Sequence, residues 1–141
     1  MTPTRTPNTA PAATRAKVLL ADDHFVVAQA LARYLGDQFD LVEIVQNGQE
    51  LIDAVVRHQP DIVVADISMP ILSGLEAMRR LRDEHNMVKF IFLTMHHDPA
   101  LASAAMRAGA SGFLFKNAAG EELIAAIEQV LHGRVYLPAE V

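Results

Sequence analysis

From Lys17 to Gly133 the chain alternates, five times over, a short apolar run with an amphipathic stretch of helical period. The apolar runs are Val18–Ala21, Leu41–Val45, Ile62–Ala65, Phe90–Leu93 and Phe113–Phe115. They are continuous rather than interleaved with polar residues, which suits strands buried on both faces, as a parallel sheet requires. Strands separated by helices at this spacing imply right-handed βαβ units and a sheet covered on both sides. The expected fold class is therefore α/β: a three-layer (βα)5 doubly wound parallel sheet, for which the strand order 2-1-3-4-5 is the expected topology.

The helical faces are read from the same pattern. Val27, Ala28, Leu31, Ala32 and Leu35 mark the first, with Gly36 as a stop. Leu51, Ile52, Val55 and Val56 mark the second, after the turn pair Asn47-Gly48. Leu75, Met78 and Leu81 mark a third, entered through Ser73-Gly74. Leu101, Ala104, Ala105 and Ala108 give an alanine-rich fourth, stopped by Gly109, and Leu123, Ile124, Ile127 and Leu131 a fifth, closed by Gly133.

Composition narrows the function. A chain of 141 residues is one domain with room for a core. A formal net charge of −5 argues against nucleic acid as its own partner, because phosphate binding needs clustered cations. With no cysteine, disulfide scaffolding, thiolate catalysis and Cys-ligated zinc are excluded, and the histidines show no helical ligand spacing that would mark a zinc site. No apolar run approaches the ~20 residues of a membrane span, and the N-terminus lacks the apolar core of a secretory signal, so a cytoplasmic protein without membrane contact is expected. Residues 1–16 hold three prolines, five threonines and no acid, and are expected to be a disordered extension. The domain itself is expected over residues 17–132, followed by a tail or linker start at 133–141.

What ends each strand points to chemistry. The first run ends in Asp22-Asp23, the third in Asp66, the fourth in Thr94 and the fifth in Lys116. In a parallel sheet these ends share one rim, the edge where open α/β sheets bind ligands. Pro70 keeps the segment after Asp66 out of a helix. Three converging carboxylates repel unless a cation intervenes, and a hard divalent ion with oxygen ligands, Mg²⁺, removes the conflict. A carboxylate beside such an ion and a lysine is a usable nucleophile toward phosphorus. Each residue also has a plainer reading: Asp22 as a helix cap, Lys116 as a solvated side chain, Thr94 as a turn residue. Those readings do not explain all five arriving at matching strand ends.

These residues resemble the receiver domain of two-component response regulators, a flavodoxin/CheY-like fold. The resemblance rests on Ala21-Asp22-Asp23, on Asp66-Ile67-Ser68-Met69-Pro70 with Gly74 after it, on Leu93-Thr94, and on Gly109-Ala110-Ser111-Gly112-Phe113-Leu114-Phe115-Lys116. It implies that Asp66 accepts a phosphoryl group from the phosphohistidine of a sensor histidine kinase. It implies Mg²⁺ held by Asp23, Asp66 and the backbone carbonyl of Ser68, with Asp22 acting mostly through water. It further implies that Thr94 moves to the phosphoryl group, that Phe113 turns inward behind it, and that Lys116 pairs with the phosphate. Beyond its own phosphotransfer and dephosphorylation no enzymatic activity is implied. Ser68, Met95 and His96 flank the phosphoryl position, and Ser68 and His96 are expected to set how fast water removes the phosphate.

The segment from Glu121 to Gly133, followed by Arg134-Val135-Tyr136-Leu137-Pro138, resembles the end of a NarL/FixJ-type receiver entering its linker. Members of that subfamily carry a LuxR-type helix-turn-helix beyond it, so DNA would be reached only through a further domain, with homodimerisation on phosphorylation. A shortened form of such a protein is the favoured expectation; a single-domain regulator acting by protein contacts is the alternative. Asn117 follows Lys116 where many receivers have proline. A haloacid-dehalogenase-type phosphohydrolase would need an acid where Ser68 stands. A flavin or nucleotide module would need a Gly/Ser/Thr-rich loop where Asp22-Asp23 stand.

Overall fold

A computed structural model of the chain describes residues 15–95, 98–118 and 120–138. His96, and the expected extension up to residue 14, lie outside the described residues. Five strands and five helices alternate: β1 (Lys17–Ala21), α1 (Phe25–Gln38), β2 (Asp40–Val45), α2 (Gly48–His58), β3 (Ile62–Asp66), α3 (Gly74–Asp83), β4 (Lys89–Thr94), α4 (Pro99–Arg107), β5 (Gly112–Phe115) and α5 (Glu121–Leu131). The strands form one parallel sheet in the order β2-β1-β3-β4-β5, the topology expected from the alternation.

Strand side chains alternate between the two layers, and each layer has its own core. Leu19, Ala21, Val63, Ala65, Phe90, Phe92, Phe113 and Phe115 pack beneath α2, α3 and α4. Val18, Leu20, Ile62, Val64, Ile91, Leu93 and Leu114 pack beneath α1 and α5. All five residues of β3 are buried, which is why its sequence carries no polar alternation before Asp66. β2, at the edge, is only half-buried over most of its length, and its pairing with β1 is irregular between Val18 and Leu19.

Local chemistry fixes most helix starts. The Asn47 side chain accepts from the Glu50 amide at the start of α2, and Ser73 Oγ accepts from the Glu76 amide at the start of α3. Asp98 does the same for Ala100 ahead of α4, where Pro99 opens the first turn. Three details depart from the sequence expectation. Helix α1 runs through Gly36 to Gln38; it stops because Phe39 turns extended to bury its ring, while its amide still bonds the Leu35 carbonyl. The buried face of α2 is Leu51, Ala54 and Val55, rotated so that Val56 is 65% exposed. On α4 the buried residues are Ala102 and Ala105, with Ala104 and Ala108 only half-buried. Small residues carry too little apolar area for periodicity alone to orient such a helix.

After α5 the chain does not leave the domain at once. Gly133 turns it with φ +86°, and Tyr136 lies beside β5, its amide bonding the Ser111 carbonyl at 2.9 Å and its carbonyl accepting from the Phe113 amide at 3.1 Å. The Tyr136 hydroxyl donates to Glu122 on α5 at 2.6 Å. Among the described residues no helix is long and apolar enough to cross a membrane.

One close approach sets the geometry of the rim. Gly74, the first residue of α3, presses against the end of β3: a Cβ there would lie 2.2 Å from the Asp66 carbonyl oxygen and 3.2 Å from the Phe92 ring. The Gly74 amide donates to the Ile67 carbonyl at 3.1 Å, which pins the helix start to the strand end. Gly74→Ala is expected to destabilise the domain by about 2–3 kcal/mol, since backbone rather than a flexible side chain must give way. The shift in urea midpoint at unchanged slope measures it.

Candidate functional site

The parallel register brings the acids together. Ala21 pairs with Ala65, so Asp22 and Asp66 follow on adjacent strands; Thr94 pairs with Phe115, and Lys116 follows it on the outer strand. Asp22, Asp66 and Thr94 are all buried at this rim, while Asp23 is partly open to solvent. Lys116 lies in a short 3-10 turn (Lys116–Ala118), and no peptide bond among the described residues is cis, so the Lys116–Asn117 bond is trans.

Lys116 reaches into the acids. Its ammonium lies 2.8 Å from Asp66 Oδ2 and 3.1 Å from Asp22 Oδ1. The plainer readings of these residues do not hold: the lysine side chain is almost wholly buried, and the residue at the N-cap of α1 is His24, not Asp22. Asp22 Oδ1 instead accepts from the His24 amide at 2.9 Å. Asp66 Oδ1 accepts from the Ser68 amide at 3.3 Å.

His24 is the site residue that the sequence reading missed. Its Nδ1 lies 2.9 Å from the Lys116 ammonium and 3.2 Å from Asp22 Oδ1, and 3.6 Å from both Asp23 Oδ1 and Asp66 Oδ2. The one clue in the sequence is position: it directly follows the acid pair and stands at a helix N-cap without a capping side chain. Which way its ring turns is a tertiary fact.

Phe113 is fully buried, its ring edge-on to Phe115 at 5.9 Å. The ring belongs to the core between the sheet and α4, a layer too apolar to release it without loss. Ser68 and Met95 are exposed beside the rim.

Electrostatics follow from burial. Burial pushes the Asp66 carboxyl above its ordinary value; the Lys116 ammonium and the Ser68 amide pull the other way without cancelling it. Asp22 is buried too, and its Oδ2 accepts no hydrogen bond although the Lys116 ammonium is 3.1 Å away. Three carboxylates answered by one ammonium, one with an oxygen lacking a hydrogen bond, suit a hard cation. Asp22, Asp23, His24 and Asp66 each offer one donor atom, all within 4.8 Å of one another.

Comparison with known proteins agrees with this geometry. Residues 18–128 match the response regulator receiver domain family. The chain belongs to that family. It is 36% identical over 124 residues to the oxygen regulatory protein NreC of Staphylococcus carnosus, covering 86% of this chain and 57% of that one. It is 36% identical over 126 residues to the response regulator UvrY of Escherichia coli K12, covering 88% of this chain and 58% of that one. The chain thus spans little more than half the length of these curated relatives. Among solved structures it resembles a two-component response regulator of the LuxR family from Aurantimonas sp. SI85-9A1, with a TM-score of 0.85 and 32% identity over 90% of this chain and 92% of that one. The receiver fold, the response-regulator family and the likeness to its LuxR-family members stand as read from the sequence.

The raised Asp66 pKa has a signed consequence. Below the ordinary aspartate value the carboxyl is neutral in both folded and unfolded chains, and nothing is lost. As pH rises toward the higher native value the unfolded chain gives up its proton first, so stability falls. Without divalent cations, the denaturation midpoint of the native chain is expected to drop relative to that of Asp66→Asn as pH rises above the ordinary aspartate value of about 4. Paired urea titrations at a series of rising pH values measure the difference.

Proposed function

We propose that this domain is a phosphorylation switch that takes a phosphoryl group on Asp66 from the phosphohistidine of a sensor histidine kinase. The observation that carries the reading is the buried Lys116 ammonium, 2.8 Å from Asp66 Oδ2 at the rim where two further acids meet. A carboxylate oxygen of Asp66 forms the new bond to phosphorus, the phosphorus–nitrogen bond of the donor breaks, and the released imidazole takes up a proton. Asp22, Asp23 and Asp66 would hold Mg²⁺, which when bound supplies positive charge to the phosphoryl oxygens. Lys116 would contribute its charge to the same oxygens, and Thr94, at the end of the neighbouring strand, would donate its hydroxyl. Burial excludes bulk water from Asp66 and so delays hydrolysis of the acyl phosphate.

As a switch the domain must shift a conformational equilibrium. Going from 1:99 to 99:1 needs about 5.5 kcal/mol of differential stabilisation. A single charged hydrogen bond contributes about 1.5–3 kcal/mol, so Lys116 alone is too little and Thr94 and backbone amides must join it. A packed Phe113 makes β5 and α4 the elements through which such a change reaches the surface. The longer protein would be a cytoplasmic response regulator that dimerises on phosphorylation and binds DNA through a LuxR-type domain outside this chain.

Incubation with Mg²⁺ and acetyl phosphate should give a hydroxylamine-sensitive acyl phosphate that maps to Asp66 by mass spectrometry and is absent from Asp66→Asn. Lys116→Ala should slow its formation roughly tenfold to a hundredfold, the worth of one charged hydrogen bond to the transferring group.

A further inference from the structure

Lys116 owes its place to β5, a strand of four residues at the border of the sheet. On its inner side β5 pairs with β4, from Ile91 with Gly112 to Thr94 with Phe115, and Lys116 is the next residue. On its outer side β5 is held by the chain's own tail. The Tyr136 amide donates to the Ser111 carbonyl at 2.9 Å, and the Tyr136 carbonyl accepts from the Phe113 amide at 3.1 Å. These bonds flank Gly112, whose missing side chain permits the approach: a Cβ there would lie 3.4 Å from the Tyr136 carbonyl oxygen. The tail alternates as a strand does, with Tyr136 half-buried and Pro138 buried, Val135 and Leu137 exposed. Pro138, next in register, has no N–H to donate, so the docking rests on Tyr136. The Tyr136 ring packs on the core beneath α1 and α5, and its hydroxyl donates to Glu122 Oε2 at 2.6 Å.

We infer that Tyr136 is a positioning residue for the phosphoryl site, clamping β5 from its outer border so that the strand delivers Lys116 to Asp66. The inference rests on the phosphoacceptor reading and adds to it a residue remote from the chemistry. Tyr136 acts at the Gly112 end of β5 and Lys116 leaves the other end, so the effect passes along the strand rather than by contact. A border strand with partners on one side only is free to open locally; Tyr136 gives β5 partners on both. The Lys116 ammonium stands 2.8 Å from Asp66 Oδ2, and a strand end displaced by about 1 Å is enough to spoil such an alignment. Side chain and backbone form one clamp: the hydroxyl ties the ring to α5, and the ring keeps the backbone of the tail on β5.

The test is a double-mutant cycle in this chain, read as the rate of acyl phosphate formation with Mg²⁺ and acetyl phosphate. Tyr136→Ala should slow the reaction about tenfold, and Tyr136→Phe, which keeps the ring and loses the Glu122 bond, about threefold. In a Lys116→Ala background neither should change the remaining rate by more than about 1.5-fold, because the group they position is gone. Val135→Ala, at the exposed neighbour, should leave the rate as it is. Amide exchange followed by NMR separates a lost clamp from general loosening: Phe113 should exchange faster in Tyr136→Ala while Val64 in β3 keeps its protection. Should Tyr136→Ala lose protection throughout, Tyr136→Phe carries the same cycle. Equal slowing in both backgrounds, an unchanged rate in the native background, or unchanged exchange at Phe113 would overturn the inference. A native chain that forms no acyl phosphate on Asp66 sinks the phosphoacceptor reading and this inference with it; one that forms it, with additive effects in the cycle, sinks the inference alone.

Discussion

One ammonium holds this rim together. Without Lys116, two buried carboxylates, Asp22 and Asp66, would face each other across adjacent strands with no buried ammonium to offset their repulsion and desolvation. The sheet imposes that closeness: parallel pairing of β1 with β3 puts the two strand ends side by side whatever their side chains prefer. The site is therefore a conflict built by the fold and tempered by one buried ammonium. Asp66 remains harder to ionise than an exposed aspartate, which shows that the tempering is partial. A residual penalty of this kind is what a second positive charge can relieve.

The surroundings explain why the conflict is tolerated. Both cores are continuous and apolar beneath the rim, with Phe90, Phe92 and Phe113 on one side and Leu20, Ile91 and Leu114 on the other, so strand positions are not free to relax. Gly74 locks the start of α3 against the backbone of Asp66, and Ser73 caps that helix. Asp66 is thus held from behind by backbone contacts while its carboxylate faces Lys116 at the rim.

Much of this was legible in the sequence because it depends on period and position. Continuous apolar runs with helical stretches between them gave the layers, and polar residues ending β1, β3, β4 and β5 gave the rim. What was missed depends on rotation about bonds that no period encodes. The extent of α1 was set by the buried ring of Phe39, not by Gly36. The face of α2 turned away from Val56, and the alanines of α4 offered too little area to orient it. His24 entered the site through a ring torsion, which no strand pattern reports.

The placement of Tyr136 bears on how the domain keeps itself from polymerising. A five-stranded open sheet has two raw borders, each able to recruit a strand from another molecule. Tyr136 occupies part of the β5 border, and its own hydroxyl is anchored on α5. The opposite border is blunted differently: β2 pairs irregularly, and its Glu43 is engaged by Arg57 and His58 from α2. With both borders treated in these ways, the sheet is discouraged from growing into fibrils along its own strands.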